Sequence, residues 1–183
     1  MPHYIAFLRG INLGNRRIKM DRLRVLFEEM NFTEVATFIA SGNVLFASKT
    51  RDSRKIEKQI QHSLHQSLGY GVDTFVRTRE QVAAIAAFRP FAQPELDDSA
   101  NTVHVGFLGE ALSVGQAHGL VACRTTVDEF RIHGREYYWL CRGIKTHEST
   151  VWNSPRTKAL KLPSSSMRNL TTVRKLAVLH PPR

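Results

Sequence analysis

Residues 9–19, RGINLGNRRIK, place Arg9, Arg16, Arg17 and Lys19 in one loop that also holds Gly10 and Gly14. Arginine supplies a rigid fork of donors matched to phosphate or carboxylate oxygens. The glycines let backbone N–H groups approach a ligand closely. Four cations on a permissive backbone just before a helix are the ingredients of an anion site. The competing reading is a solvated charged face, the commonest fate of such a run.

Two further clusters carry comparable chemistry. Ser41, Gly42 and Asn43 form a turn, and together with Asn12 they add neutral donors. The same residue types also satisfy turn backbone, so both readings stay open. Ser164 to Asn169, a segment that includes Arg168, precedes the last helix, where Ser166 or Asn169 would cap it; Thr171, Thr172 and the exposed N–H groups would favour an anion at its start, against the competing reading of plain helix capping.

Signatures of catalysis are sparse. The chain has no P-loop, no G-x-S-x-G elbow and no H-E-x-x-H. His62 and His65 are three apart on a helix with no third ligand following, so they read as surface histidines and no metal is expected. His147-Glu148 is an acid–base pair that nothing positions. Cys123 and Cys141 lack metal-ligand spacing and are too few for a disulfide framework, which predicts reduced, buried thiols. No cofactor is expected.

The chain has 183 residues and net charge +10, from 26 basic against 16 acidic side chains. Nearly all of the excess lies in residues 131–183, where eleven basic residues face only Glu136 and Glu148. That asymmetry favours contact with polyanions. Tyr137, Tyr138, Trp139 and Trp152 interleave with these cations, a composition that suits single strands of nucleic acid. Yet Tyr137, Trp139 and Cys141 share one strand face, where core packing explains them as well. No apolar run approaches the roughly 20 residues of a membrane span, and Arg9 ends the short apolar start. A cytoplasmic protein without membrane attachment is expected.

The elements that position these residues follow from periodicity. Tyr4–Leu8 reads as a strand, and Met20, Leu23, Phe27 and Met30 recur at helical spacing. Two strands, Val35–Ala40 and Val44–Ala47, flank the Ser41-Gly42-Asn43 turn. Ile56 to Leu68 forms a helix stopped by Gly69 and Gly71, and Val72–Arg77 is a fourth strand. A capping box of Thr78 and Gln81 opens a third helix.

The order βαββαβ is the ferredoxin-like split motif. It predicts that strands one and three are neighbours, which brings Arg9, Asn12, Ser41 and Asn43 to one sheet edge beside the Gly69-Tyr70-Gly71 turn. Residues 89–101, with Pro90, Pro94, Asp97 and Asp98, read as a linker between a subdomain at 1–88 and a basic one at 102–183. The second half repeats the pattern: a strand at Val103–Phe107, a weak helix at Ser113–Ala122, and a hairpin around His133-Gly134. A helix start at Ser154-Pro155, an extended stretch at Ser165–Arg168 and a last helix follow. The expected class is α+β, with two ferredoxin-like subdomains whose antiparallel sheets carry helices; no residue-level repeat is visible between them.

The pieces YIAFLRGINLG at 4–14, IKMDRLR at 18–24, TFIASGNVLF at 37–46 and SMRNLTTVRKL at 166–176 resemble the bacterial family catalogued as domain of unknown function 1697. The resemblance implies an α+β fold with ferredoxin-like subdomains and no established activity. It marks Arg9, Gly10, Asn12, Gly14, Lys19, Met20, Ser41, Gly42, Asn43, Arg168 and Asn169. Leu170 departs from the aromatic residue often found there. Three functional readings follow. One is a binding protein for a phosphorylated or polyanionic ligand, nucleic acid being the leading example, at a basic cleft between the subdomains. The others are a small enzyme acting on an anionic substrate in that cleft and an assembly protein whose marked residues brace the fold. Oligomeric state is left open.

Overall fold

Strands buried on both faces and two amphipathic helices build the first unit. In the computed structural model, residues 1–39 and 42–182 are described; Ser41, assigned above to the turn and the site, and Ala40 lie outside them. By its contacts the chain divides into unit 1, Met1–Ala86 with Lys175–Arg183, and unit 2, Ala87–Arg174.

Unit 1 runs β1 (His3–Leu8), α1 (Met20–Glu29), β2 (Thr33–Phe38), β3 (Asn43–Ala47), α2 (Ser53–Leu68), β4 (Thr74–Thr78) and α3 (Arg79–Ala87). The sheet order is β2-β3-β1-β4, with β1 antiparallel to both neighbours. Tyr4, Ala6, Leu8, Val44, Phe46 and Val76 share one face and form a core with Leu23, Phe27, Ile56, Ile60 and Leu64 from α1 and α2. Ile5, Phe7, Leu45, Phe75 and Arg77 occupy the opposite face and are buried as well.

Local chemistry sets the helix ends. Asp52 Oδ1 accepts from the N–H groups of Arg54 and Lys55 at 2.9 and 3.2 Å to start α2. Gly69 closes the same helix in the left-handed conformation. Thr78 and Gln81 form the expected box, at 3.0 and 3.2 Å. Glu57 lies within the apolar stripe of α2, where its Oε1 accepts from the Val76 N–H at 2.8 Å. β4 is an edge strand, and this donor would otherwise be a buried orphan.

Unit 2 comprises α4 (Gln93–Asp97), β5 (Thr102–Leu108), α5 (Val114–Ala122), β6 (Asp128–His133), β7 (Glu136–Cys141), α6 (Pro155–Ala159), β8 (Ser165–Asn169) and the start of α7 (Leu170–Leu179), which continues into unit 1 at Lys175. Its sheet order, β6-β7-β5-β8, repeats that of unit 1. Tyr137, Trp139 and Cys141 lie in its core with Leu108, Leu120 and Phe130. Both cysteines are buried free thiols, and burial pushes the Cys141 thiol up.

The stretch 89–101 is structured: it holds α4, and Arg142 Nε donates to Glu95 Oε1 at 2.8 Å. Arg142 also bonds Glu129. In the β6–β7 turn only Gly134 takes positive φ, at 59°, because the turn lies one residue beyond the expected His133 position. Asp128 is buried and accepts from Trp139 Nε1, Ser149 Oγ and Thr125 Oγ1 at 2.9, 2.8 and 2.7 Å. Both carboxylate oxygens, taken from water by burial, therefore meet donors.

The matching registers reveal a residue-level correspondence. β1 pairs Ile5 with Arg77 and Leu45, while β5 pairs Val105 with Arg168 and Tyr138. Arg77 and Arg168 thus hold the same place in the two sheets. Each is buried, and each donates to the carbonyl of its preceding residue, Val76 at 3.0 Å and Met167 at 2.8 Å. Each is also followed within two residues by the start of a helix, α3 or α7.

Candidate anion-binding loop

The loop after β1 is sewn into the sheet edge at three points. The Leu8 N–H donates to Gly42 O at 2.9 Å, and the Arg9 N–H to Asp73 O at 2.8 Å. Tyr70 Oη donates to Ile11 O at 3.2 Å. These bonds bring together the end of β1, the β2–β3 turn and the Gly69-Tyr70-Gly71 turn, as the ferredoxin-like topology requires.

Within the loop, Asn12 Oδ1 accepts from the Ile18 N–H at 2.8 Å, and Arg17 Nη1 reaches Asn12 O at 3.4 Å. The Arg16 guanidinium lies 4.3 Å from the centre of the Tyr70 ring, a cation–π contact. Arg9 Nη1 is 3.5 Å from Asp73 Oδ2, with both side chains about half exposed (55 % and 50 %), so this pair adds little stability. Lys19 is exposed at the start of α1 and makes no side-chain cap. Leu13 stands 64 % exposed among these cations.

Gly42 explains its own position. Its φ is +78°, and a Cβ there would meet Ile11 Cγ2 at 2.8 Å and Leu8 Cβ at 3.1 Å. Asn43 is fully buried, and its Nδ2 donates to Phe38 O at 3.0 Å across the turn. Gly10, at φ 71°, reverses the chain after β1, and Gly14 also takes positive φ.

The site residues proposed from the second half lie in unit 2. Arg168 is 9 % exposed on β8, where Nη1 donates to Ser166 Oγ at 2.9 Å. Burial pulls its guanidinium down to about 10, so it stays charged at neutral pH. Asn169 Oδ1 accepts from the Thr171 N–H at 2.8 Å, which makes Asn169 the cap of α7. Leu170 is buried. Glu148 is engaged by the Lys145 N–H at 2.8 Å and serves its own turn. Among the described residues, no group of three or more His, Cys, Asp and Glu side chains is placed to hold a metal ion. Nor is any helix long and apolar enough to cross a membrane.

Tyr70 and Asp73 are the loop's partners that residue-type reasoning left unassigned. Tyr70 between two glycines was placed at this edge, but a tyrosine in a turn carries no mark of what its hydroxyl will bond.

Two antiparallel sheets of identical strand order, each carrying its own helices, define an α+β protein of tandem ferredoxin-like units with a cationic loop at one sheet edge. The chain belongs to the family described as protein of unknown function (DUF1697), whose model matches residues 1–138. A solved structure, that of conserved bacterial protein SP0830 from Streptococcus pneumoniae, is 20 % identical over 98 % of this chain and 98 % of that one, with a TM-score of 0.75. At that identity the likeness shows the fold alone. No curated protein matches the chain.

Proposed function

We propose that the chain binds a phosphorylated or polyanionic ligand, with nucleic acid the leading example, through the loop at residues 9–19. The observation that carries this reading is a braced loop with outward cations. Asn12, Tyr70 and the Gly42 carbonyl tie its backbone down, while Arg9, Arg16, Arg17 and Lys19 all remain exposed. A loop held in this way presents its charges with less ordering entropy left to lose on binding. The polar atoms of Asn12 and Asn43 are used inside the fold, so the reading rests chiefly on Arg9, Arg17 and Lys19 for contact with the ligand. The buried free thiols accord with a cytoplasmic setting.

The test is a thermal-shift panel of nucleotides, phosphosugars, carboxylates and short oligonucleotides at two salt concentrations. Wild type is compared with an Arg17→Ala/Lys19→Ala variant, whose substitutions are exposed and leave the core intact. We expect at least one ligand of the panel to stabilise the chain increasingly with its concentration, and that stabilisation to disappear in the variant. For an oligonucleotide it should also fall steeply with salt, because phosphate contacts release counterions. A panel in which no stabilisation depends on the loop refutes the reading.

A further inference from the structure

We infer that unit 2 carries a second, separate ligand site, a recess of about 570 Å³ beside α5 and α6 that takes a small phosphorylated molecule with a flat or apolar body, such as a mononucleotide. The recess is lined by His118, Val121 and Ala122 from α5, by Arg124 just beyond it, and by Arg156 of α6. Its size lies within the range of small-molecule pockets, about 300–1,000 Å³.

The two helices are held together by a specific contact. A Cβ on Gly119 would lie 2.3 Å from Leu160 Cδ2, so the bare glycine lets the chain after α6 seat against α5. Gln116 Nε2 adds a bond to Lys161 O at 3.2 Å. Gly119 thus sits where the neighbouring segment comes close, whereas a Cβ at Gly115 would meet open space.

Charge and surface then specify the ligand. Residues 113–124 and 154–162 contain Arg124, Arg156, Lys158 and Lys161 and no acidic side chain. Arg124 and Arg156 are exposed, and neither has a hydrogen-bond or ion-pair partner among the described residues. Two unpaired guanidinium groups flanking one recess suit the oxygens of a phosphate. The rest of the lining is Val121, 37 % exposed, Ala122 and the His118 imidazole. The apolar part of that floor offers nothing to an inorganic ion, but it covers the face of a ring. The site is independent of the loop at residues 9–19, and neither assignment needs the other.

Isothermal titration of the full chain with AMP, ADP and inorganic phosphate, together with a short oligonucleotide, tests the assignment. We expect saturable nucleotide binding that exceeds phosphate binding. Arg124→Ala/Arg156→Ala should weaken it by about tenfold or more, with the thermal midpoint unchanged. Val121→Asp, which puts a carboxylate on the floor, should abolish it; all variants are compared in an Arg17→Ala/Lys19→Ala background, which removes any contribution of the loop at residues 9–19. Nucleotide binding unaffected by the Arg124/Arg156 substitutions, binding no tighter than that of inorganic phosphate, or binding of the oligonucleotide alone would each overturn the inference.

Discussion

Substituting Gly106 by alanine should destabilise unit 2 for a purely steric reason. A Cβ at this position would lie 2.0 Å from Tyr137 Cζ and 2.2 Å from its Cε1, directly against the ring. Carbon atoms in contact rest about 3.5–4.0 Å apart, so the overlap is roughly 1.5 Å. The ring has little room to withdraw, being 3 % exposed with its hydroxyl 2.8 Å from Ser165 Oγ. Overpacking of this kind costs about 1–3 kcal/mol, and we expect the upper end. The backbone points the other way, since alanine is preferred to glycine inside a strand by about 0.5–1 kcal/mol.

The equivalent place in unit 1 already holds a workable solution, Ala6 opposite Val44. Tyr137→Val alone should cost about 3 kcal/mol as a large-to-small core change. Gly106→Ala/Tyr137→Val should cost about the same, so the pair is coupled by roughly 2–3 kcal/mol. Both tryptophans of the chain, Trp139 and Trp152, lie in unit 2 with ring centres 5.5 Å apart. Denaturant unfolding followed by their fluorescence therefore reports this unit. A cost below about 0.5 kcal/mol for Gly106→Ala, or costs that simply add in the double variant, would refute the reasoning.

Other substitutions probe separate features. Glu57→Ala should cost about 1–3 kcal/mol by stranding the Val76 N–H, and Glu57→Gln should cost less because a carbonyl acceptor remains; thermal unfolding distinguishes them. His104 stacks on Trp139 and is lowered to about 4 by burial, so the folded chain resists the proton that the unfolded chain accepts. Stability should be fully present above pH 6.5 and fall by on the order of 2–3 kcal/mol as pH drops toward 4, a decline that His104→Phe removes in pH-dependent denaturation. Burial pushes the Glu129 carboxyl up, but its bonds to Arg142 and Arg131 outweigh this and hold it below its ordinary value. Its contribution is present above the usual carboxylate pKa and is lost as pH falls through the depressed one. Arg142→Ala should flatten that acid limb in the same titration. Gly42→Ala should cost about 1–3 kcal/mol through its left-handed φ, measured by thermal midpoint.

Topology was legible because the apolar period changes cleanly, from the alternation around Val103, Val105 and Phe107 to the helical spacing of Ile56, Ile60 and Leu64. The capping box at Thr78 marked a helix start with the same clarity, whereas the equivalent box of Ser113 and Gln116 is seen only in the structure. The meeting of the Arg9 loop with the Gly42 turn followed from strand order alone. The internal uses of Asn12, Asn43 and Asn169 did not, because asparagine is equally suited to a ligand and to its own backbone. The Arg77–Arg168 correspondence stayed hidden for another reason. Strand neighbours such as Val76 and Met167, or Phe75 and Ser166, differ in chemistry, and only hydrogen-bond register aligns them. Glu57 was masked because a charge inside an apolar stripe reads as noise until its acceptor finds a donor.

That carboxylate has a consequence for how copies of the molecule meet. A bare edge strand is a template on which another chain can add a strand of its own, and amyloid and domain-swapped assemblies begin in this way. At Val76 the outward donor of β4 is already occupied by a side chain from the same unit, so an incoming strand would first have to displace a buried acid. Glu57 is thus a guard against self-association as well as a brace. The Glu57→Ala chain should betray itself in concentrated solution, as light-scattering aggregates, at temperatures where its fold is still intact.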